Sequence, residues 1–326
     1  MVRYFIFSKG RLIQESSDVP FLKVALYEEG VDIWVDMEQP TQEETRQVLE
    51  QIFNFHPLAI EDCVAVSERP KVDQYEGYFF MVVHAIDFSR SQHQFATTEL
   101  NMFIGRNFVV TYHVDPLRSI AATIDRVLKN PTLVARSPDR LTYYVVDLLL
   151  DNYEPALQEL ASDMAQVEED MLAESSKITL SEIVHLKKQI QDLRNIMTPQ
   201  REVIARVAHG EFTPVRASML PYYRDLLDRI TRILNTAETH RESLSSSVQM
   251  LLSLQQSQTN HVVKVLTVLA TLSMPLLIIT SFYGMNIRHF PDTEWPTWPW
   301  AYAWILALTG GITGLVYGIL KRRKWL

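Results

Sequence analysis

The 326-residue chain is 47% hydrophobic, has one cysteine, Cys63, and carries a formal net charge of −8. A single cysteine excludes an internal disulfide framework and agrees with a reducing compartment. The charge is uneven: residues 261–326 hold six Lys/Arg against two Asp/Glu, while residues 1–260 hold 25 against 37, a balance of −12. An acidic body of this kind argues against nucleic acid as a partner and favours cations.

Residues 1–130 read as a mixed α/β domain. Segments 3–8 and 11–14 flank Lys9-Gly10, a hairpin signal, and 31–37 alternates around Trp34. Thr41 with Glu44 is a capping-box pattern that opens a helix through about Phe53. Residues 56–64 predict a further short helix. Segments 78–86, 99–104 and 108–113 are rich in Val, Phe, Ile and Tyr and predict strands, the last two joined by Gly105-Arg106-Asn107. The N-terminal residues 1–7 have no long apolar region, so no cleaved export signal is expected. Phosphate-loop, G-x-S-x-G and H-E-x-x-H patterns are absent from the sequence, and it predicts no enzyme.

From Pro116 the pattern is helical almost to the end. Residues 131–260 predict an acidic helical hairpin and a long stalk helix. Residues 139–174 hold ten Asp/Glu and one basic residue, Arg140, most simply a solvated helix face, alternatively a cation-attracting surface. A helix over 180–208 is expected to break at Pro199. Leu220, Tyr223, Leu227, Ile230, Leu234 and Ala237, then Leu244, Val248 and Leu251, form a heptad-like stripe that predicts packing against copies of the same chain. An unbroken helix over 220–282 is about 95 Å long at 1.5 Å per residue. Near its far end the stripe turns to Ser, Gln, Asn260 and His261, which suits a wet vestibule.

Residues 261–326 predict a membrane domain. The two longest uncharged apolar runs, 265–282 and 301–320, are long enough to span a bilayer. They give a first transmembrane helix over about 262–283, an outer turn over 284–300 and a second helix over about 301–320. The Lys321-Arg322-Arg323-Lys324 cluster marks the cytosolic side, so both termini are expected there. Thr267, Thr271, Met274 and Ser281 lie near one face of the first helix, where they line a pore or simply bond to a neighbouring helix. Gly310, Gly314 and Gly318 form a small-residue stripe for close packing. Neither run contains a carboxylate. Mg²⁺ dehydrates reluctantly, so a ring of Asn286 carboxamides could hold its waters without stripping them, helped by backbone carbonyls of Gly284 and Met285. Such a ring needs several copies around an axis. Asp292 and Glu294 in the outer turn would raise the local cation concentration.

Tyr283-Gly284-Met285-Asn286, at the end of the first of two C-terminal membrane helices, resembles the CorA metal-ion transporter family. Val263-Lys264-Val265-Leu266-Thr267, Met274-Pro275-Leu276, Lys324-Trp325-Leu326, Arg69-Pro70-Lys71-Val72, Pro199-Gln200-Arg201-Glu202-Val203 and Tyr223-Arg224-Asp225 extend the likeness over essentially the whole chain. The resemblance implies a homopentameric funnel in the cytoplasmic membrane that imports Mg²⁺, with Co²⁺ and Ni²⁺ also carried, and needs no organic cofactor. It places a selectivity ring at Asn286 and pore-lining positions at Asn260, Val263, Leu266, Thr271, Met274, Leu277 and Ser281. It also implies a regulatory Mg²⁺ site between subunits at Asp225, with Asp87 as the acidic partner. Val263, Leu277 and Arg288 depart from the family pattern. Zinc-moving relatives share the architecture, so a Zn²⁺ transporter is the alternative, although the nine His show no metal-ligand spacing. A membrane cation sensor that conducts nothing is a third reading.

Overall fold

The computed structural model describes residues 1–65, 69–89, 94–172, 180–285, 300–323 and 325, with the backbone alone at 87–89, 94–96, 171, 172, 180, 283, 301 and 302. It forms two compact units, Met1–Ser246 and Ser247–Leu326.

The first unit opens with strands β1 (Val2–Ser8) and β2 (Arg11–Ser16), then α1 (Val19–Leu26) and β3 (Val31–Glu38). The turn between β1 and β2 has Lys9 and Gly10 both at positive φ, 51° and 75°, which is the backbone a two-residue hairpin demands. The capping box at Thr41 is formed: Glu44 N–H donates to Thr41 Oγ1 at 3.2 Å, and Thr41 N–H donates to Glu44 Oε2 at 2.8 Å. The helix it opens is α2 (Gln42–Thr45), which widens into a π-helical turn over Arg46–Ile52. Helix α3 (Pro57–Val64) is capped by His56, whose Nδ1 accepts from Leu58 N–H at 3.2 Å. Strands β4 (Lys71–Tyr75), β5 (Tyr78–Ser89), β6 (Gln94–Gly105) and β7 (Phe108–His113) complete a seven-stranded sheet of order β2-β1-β3-β7-β6-β5-β4. Only the β3–β7 pairing is parallel. A Cβ on Gly105, where β6 turns into β7, would lie 2.3 Å from the Phe108 ring, so a side chain there would push that ring aside.

Both faces of the inner strands are covered, which is why β1, β5 and β7 read as nearly continuous apolar runs rather than strict alternations. Tyr4, Ile6, Ile33, Val35, Phe80, Phe103 and Val110 pack under α1, the π-turn and α3. On the other side α4 (Arg118–Lys129) packs on α6 (Pro138–Asp151) and α5 (Pro131–Val134) on β2, while α6, α7 (Tyr153–Leu172) and α8 (Leu180–Ala208) meet the sheet. Strand β5 runs beyond the end of β4, and two helix side chains complete its backbone there. Tyr153 Oη donates to His84 C=O at 2.6 Å, and His84 N–H donates to Gln200 Oε1 at 2.8 Å. Both bonds are buried, where an unmade one costs about 1–3 kcal/mol.

Helix α8 runs through Pro199 without a break, contrary to expectation. One missing N–H near the middle of a 29-residue helix is outweighed by the packing of Ile190, Leu193, Met197, Val203 and Ile204, all buried. A short 3₁₀ turn, Ala217–Met219, leads into α9 (Leu220–Tyr283), and α10 (Ala301–Arg322) follows. The stripe on α9 is also corrected. Tyr223, Leu226, Ile230, Ile233, Ala237 and Leu244 are buried within a single chain, so this part does not require copies of itself. Arg229 reaches Asp147 at 3.0 Å and Asp151 at 2.5 Å, and Arg194 pairs with Glu238 at 3.0 Å, which places α6 and α8 beside it. Beyond Leu244 the large residues Met250, Leu252 and Leu254 are exposed.

The acidic stretch over 139–174 is not simply a solvated face. Asp139 is 1% exposed. It accepts from Arg216 Nε at 2.9 Å, Arg216 Nη2 at 2.8 Å, the Arg216 backbone N–H at 3.0 Å and Ser137 Oγ at 2.6 Å. Burial opposes its charge, but these donors prevail and hold its carboxyl below the usual range. Asp32 nearby fares differently: burial, reinforced by Asp139 and only partly offset by Arg216, raises it to about 6. An acid whose folded pKa is raised binds a proton in the folded state that the unfolded state has already lost. Stability therefore falls as pH climbs from the ordinary carboxylate value to about 6. Asp32→Asn is expected to remove that slope and to raise the melting temperature at pH 7. Melting curves of the purified protein across pH 4–7 check this, and an unchanged slope refutes it.

Candidate cation pathway and acidic site

Helices α9 and α10 are each long and apolar enough to cross a bilayer. Within Ser247–Leu326, the described residues that lose nearly all exposure beyond Ser247 are Val268 and Ile279 of α9 and Thr309 of α10. Val268, Leu272, Pro275 and Ile279 step by four, three and four, and Leu272 and Pro275 are half-buried. They form one stripe. Val263, Leu266, Met274, Leu277 and Ser281 form another, on roughly the opposite side at about 100° per residue. Val263, Leu266, Met274 and Leu277 are 55%, 66%, 61% and 62% exposed, against 8% and 9% for Val268 and Ile279. The chain thus packs one narrow stripe of this segment and leaves the rest bare, Val262, Val265, Leu269 and Ile278 (65%, 54%, 63% and 59% exposed) as much as the second stripe. Asn260 and Thr271 fall between the two stripes.

The hydroxyls of this segment are used by the helix itself. Thr267 Oγ1 donates to Val263 C=O at 2.7 Å, Thr271 to Thr267 at 2.7 Å, Ser273 to Leu269 at 2.8 Å and Thr280 to Leu276 at 2.8 Å. Each oxygen is then left with acceptor capacity only. Pro275 has no N–H, so the Thr271 carbonyl lacks its usual helical partner. At the far end Gly284 N–H donates to Thr280 C=O at 2.9 Å, and Met285 N–H to Phe282 C=O at 3.4 Å. A Cβ on Gly284 would stand 3.0 Å from the Thr280 carbonyl oxygen, so a side chain fits there only by displacing backbone. Asn286, Asp292 and Glu294 lie outside the described residues.

Asp225 is exposed on α9, one turn from Arg229. Its charge is felt by Tyr143 on α6, whose phenol is pushed up to about 12 by burial first, then by Asp147 and Asp225. Asp147 is itself raised, by burial and then by Asp151, with Arg229 opposing. Asp225, Asp147 and Asp151 therefore make one acidic patch around the Tyr143 and Tyr222 rings, which meet at 5.4 Å. Asp87 is on β5, with its backbone registered against Ala96, and its side chain lies outside the described set. Among the described residues no three His, Cys, Asp or Glu side chains of the single chain converge as a metal cage.

Residues 30–322 match the family model described as CorA-like Mg²⁺ transporter protein. The chain belongs to that family. The CorA-like chain is 29% identical over 300 residues to the cobalt/magnesium transport protein CorA of Thermotoga maritima, covering 90% of this chain and 83% of the relative. Its fold matches the complete structure of the CorA magnesium transporter from Methanocaldococcus jannaschii with a TM-score of 0.81 at 21% identity, over 100% of this chain and 99% of the other. A full-length CmaX structure matches with a TM-score of 0.78 at 16% identity, over 98% and 97%. The CorA-like architecture is a mixed α/β domain, long helices and two C-terminal membrane-length helices, and its members are transporters rather than enzymes.

Sequence reading of this CorA-like chain named Asp225 but passed over Asp147 and Asp151. The available signal was their four-residue spacing on one helix, opposite an arginine, Arg229, four residues after Asp225.

Proposed function

We propose that the chain forms a pentameric Mg²⁺ channel of the cytoplasmic membrane, with both termini in the cytosol and gating by intracellular Mg²⁺. The observation that supports this reading is that the single chain packs only the Val268–Ile279 stripe of this segment and leaves the rest of its apolar surface, Val263, Leu266, Met274, Leu277 and Ser281 included, uncovered. In a membrane such a surface faces lipid, a partner or a pore. A ring of copies would close it around an axis with Leu266 and Met274 as constrictions that can dewet and hydroxyl acceptors beside them. Hydrated Mg²⁺ is captured at Asn286 and driven inward by an interior-negative potential, about 4.6 kcal/mol per divalent ion at 100 mV. Co²⁺ and Ni²⁺ follow the same path. The domain plan, 1–130, 131–260 and 261–326, assigns the first two parts to sensing and the third to conduction.

For regulation, Mg²⁺ bridges Asp225 to Asp87 of a neighbouring subunit and favours closure. When internal Mg²⁺ falls, the emptied carboxylates repel and the ring loosens. Asp225→Asn is expected to shift the internal Mg²⁺ needed for half-closure upward by roughly tenfold, the scale of one lost charge-assisted contact. Proteoliposome flux measured against internal Mg²⁺ tests this, and an unaltered dose response removes the site. Competition by Zn²⁺ in the same vesicles decides the ion.

A further inference from the structure

The first unit holds a buried polar chain that transport as proposed above does not use. Asp36 of β3 and His113 of β7 are 3% and 2% exposed. Side chains alternate along a strand, so both lie on the face that α6 covers, opposite Val35, Met37, Val110 and Tyr112. Trp34 Nε1–H donates to Thr111 Oγ1 at 3.1 Å, and the Thr111 hydroxyl donates to Asp36 Oδ1 at 2.7 Å. His113 Nε2 stands 3.3 Å from the same Asp36 oxygen, and His113 Nδ1 stands 2.7 Å from the Asp115 carbonyl oxygen. A neutral imidazole offers one donor and one acceptor. Here both ring nitrogens meet oxygen acceptors. The pair therefore holds one proton more than a neutral imidazole and a carboxylate, whether it rests on Nε2 or is shared with Asp36.

The charges around His113 favour that proton. β3 supplies Asp36 and, farther off, Glu38. α6, packed on β3 and β7, turns Asp139 to Arg216, Asp147 and Asp151 to Arg229, and Arg140 to the Tyr144 ring. On α4, which Arg118 opens, Asp125 and Lys129 pair with each other and Arg126 bears on Asp147. Glu99 of β6 shares the opposite face with Phe103. Burial opposes the charge on His113, but the bond to Asp36, the charges of Asp36 and Glu38 and the Asp115 carbonyl prevail and hold it above the usual histidine range. A histidine raised in this way contributes stability that is complete below the ordinary histidine value and is lost as pH climbs through the higher folded one. The lost proton leaves net negative charge in the core and a nitrogen lone pair against an oxygen. What the proton holds is the exit of β7, since Asp115 lies in the turn that leads into α4. We infer that Asp36 and His113 form a proton-held clamp on that turn, closed on the acid side of its titration and slack on the alkaline side. Arg126 of α4 bears on Asp147, which shares the acidic patch with Asp225, so a slack clamp loosens that patch as the cytosol turns alkaline. This last link rests on the regulatory reading above, and the clamp does not.

The test is hydrogen–deuterium exchange of the full chain in neutral detergent, read by mass spectrometry from pH 5.5 to 8.5 and corrected for the intrinsic pH dependence of amide exchange. No metal or ion flux is involved, so failure of the transport reading leaves the result standing. Peptides over 114–129 are expected to exchange roughly tenfold faster at the alkaline end, the scale of one lost charge-assisted hydrogen bond. Peptides over α8 should change by less than about twofold. Asp36→Asn and His113→Gln should each flatten the step. Thr111→Val removes the hydroxyl between Trp34 and Asp36, which leaves the carboxylate a stronger base. It should keep the step and move its midpoint to higher pH, which separates a titrating pair from a misfolded one. A wild type without the step overturns the inference, as does an equal step in α8, which is global loosening. A step that survives in Asp36→Asn and His113→Gln, or a midpoint unmoved in Thr111→Val, removes this pair as its source.

Discussion

Asn286→Ala is expected to abolish Mg²⁺ uptake into proteoliposomes loaded with a magnesium-sensitive dye, while the protein still assembles. Mg²⁺ keeps several of its waters when it binds, so a filter for it has to hold water rather than metal. A carboxamide oxygen accepts from those waters, and its NH₂ group is free to tie the filter to its surroundings. Alanine does neither. Each lost bond is worth about 1 kcal/mol, and in the proposed five-fold ring the losses would multiply to a drop of more than about a hundredfold. Gly284, where a Cβ would crowd the Thr280 carbonyl at 3.0 Å, stands two residues before it at the end of α9. Uptake at the wild-type rate by Asn286→Ala, with assembly intact by cross-linking, would remove Asn286 from the pathway.

Asp139→Asn is expected to lower the melting temperature by roughly 3–12 °C. The carboxylate accepts four hydrogen bonds, three of them from Arg216, and also borders Tyr223, whose hydroxyl donates to the Asp139 carbonyl at 2.8 Å. Arg216 immediately precedes the 3₁₀ turn into α9, and Asp139 sits in the first turn of α6. An asparagine keeps the shape but turns an NH₂ group towards the guanidinium and removes the balancing charge. Arg216 is 53% exposed and regains water, so the loss is that of charge-assisted bonds to a buried acid, about 1.5–3 kcal/mol, and a unit of this size loses roughly 2–4 °C per kcal/mol. Because the carboxyl is held below its usual range, its stabilisation is present above the ordinary carboxylate pKa and is lost only as pH falls through the lower folded value. The wild type and Asp139→Asn should therefore draw together in stability as pH falls below the ordinary carboxylate range. Differential scanning calorimetry at pH 7 and pH 3 checks both statements, and a difference of under about 1 kcal/mol at pH 7 refutes the first.

How much of this was legible beforehand depended on where each signal resides. The capping box at Thr41, the Lys9-Gly10 hairpin and the two membrane-length runs are local patterns, and each formed where the residues placed it. Helix α1 and strand β4 went unread, because Pro20 and Phe21 break the polar rhythm of the first and the five residues of the second carry only one buried side chain, Val72. Pro199 misled because a proline's cost is local while the packing that overrides it is tertiary. The α9 stripe misled for the related reason that periodicity shows a face to be buried but not what buries it. Leu226 and Ile233, rather than Leu227 and Leu234, are its buried members. In the candidate pathway, the family likeness supplied the positions, and the separation of the two α9 stripes appeared only once burial could be compared around the helix. The joining of Asp147 and Asp151 to Asp225 depends on how α6 lies beside α9, which spacing along the chain does not contain.

The threonine and serine hydroxyls of α9 have one further consequence. A hydroxyl whose proton is already given to its own helix can offer an incoming species only lone pairs. Water around a cation points its hydrogens outward and finds a match, whereas water around an anion points its oxygens outward and finds none. On the proposed pathway Thr267 and Thr271 would thereby distinguish the sign of an ion with no fixed charge at all, the discrimination residing in the helix's own carbonyls, which hold each proton in place. A cation taking that path would be met by lone pairs rather than by a carboxylate that holds it back.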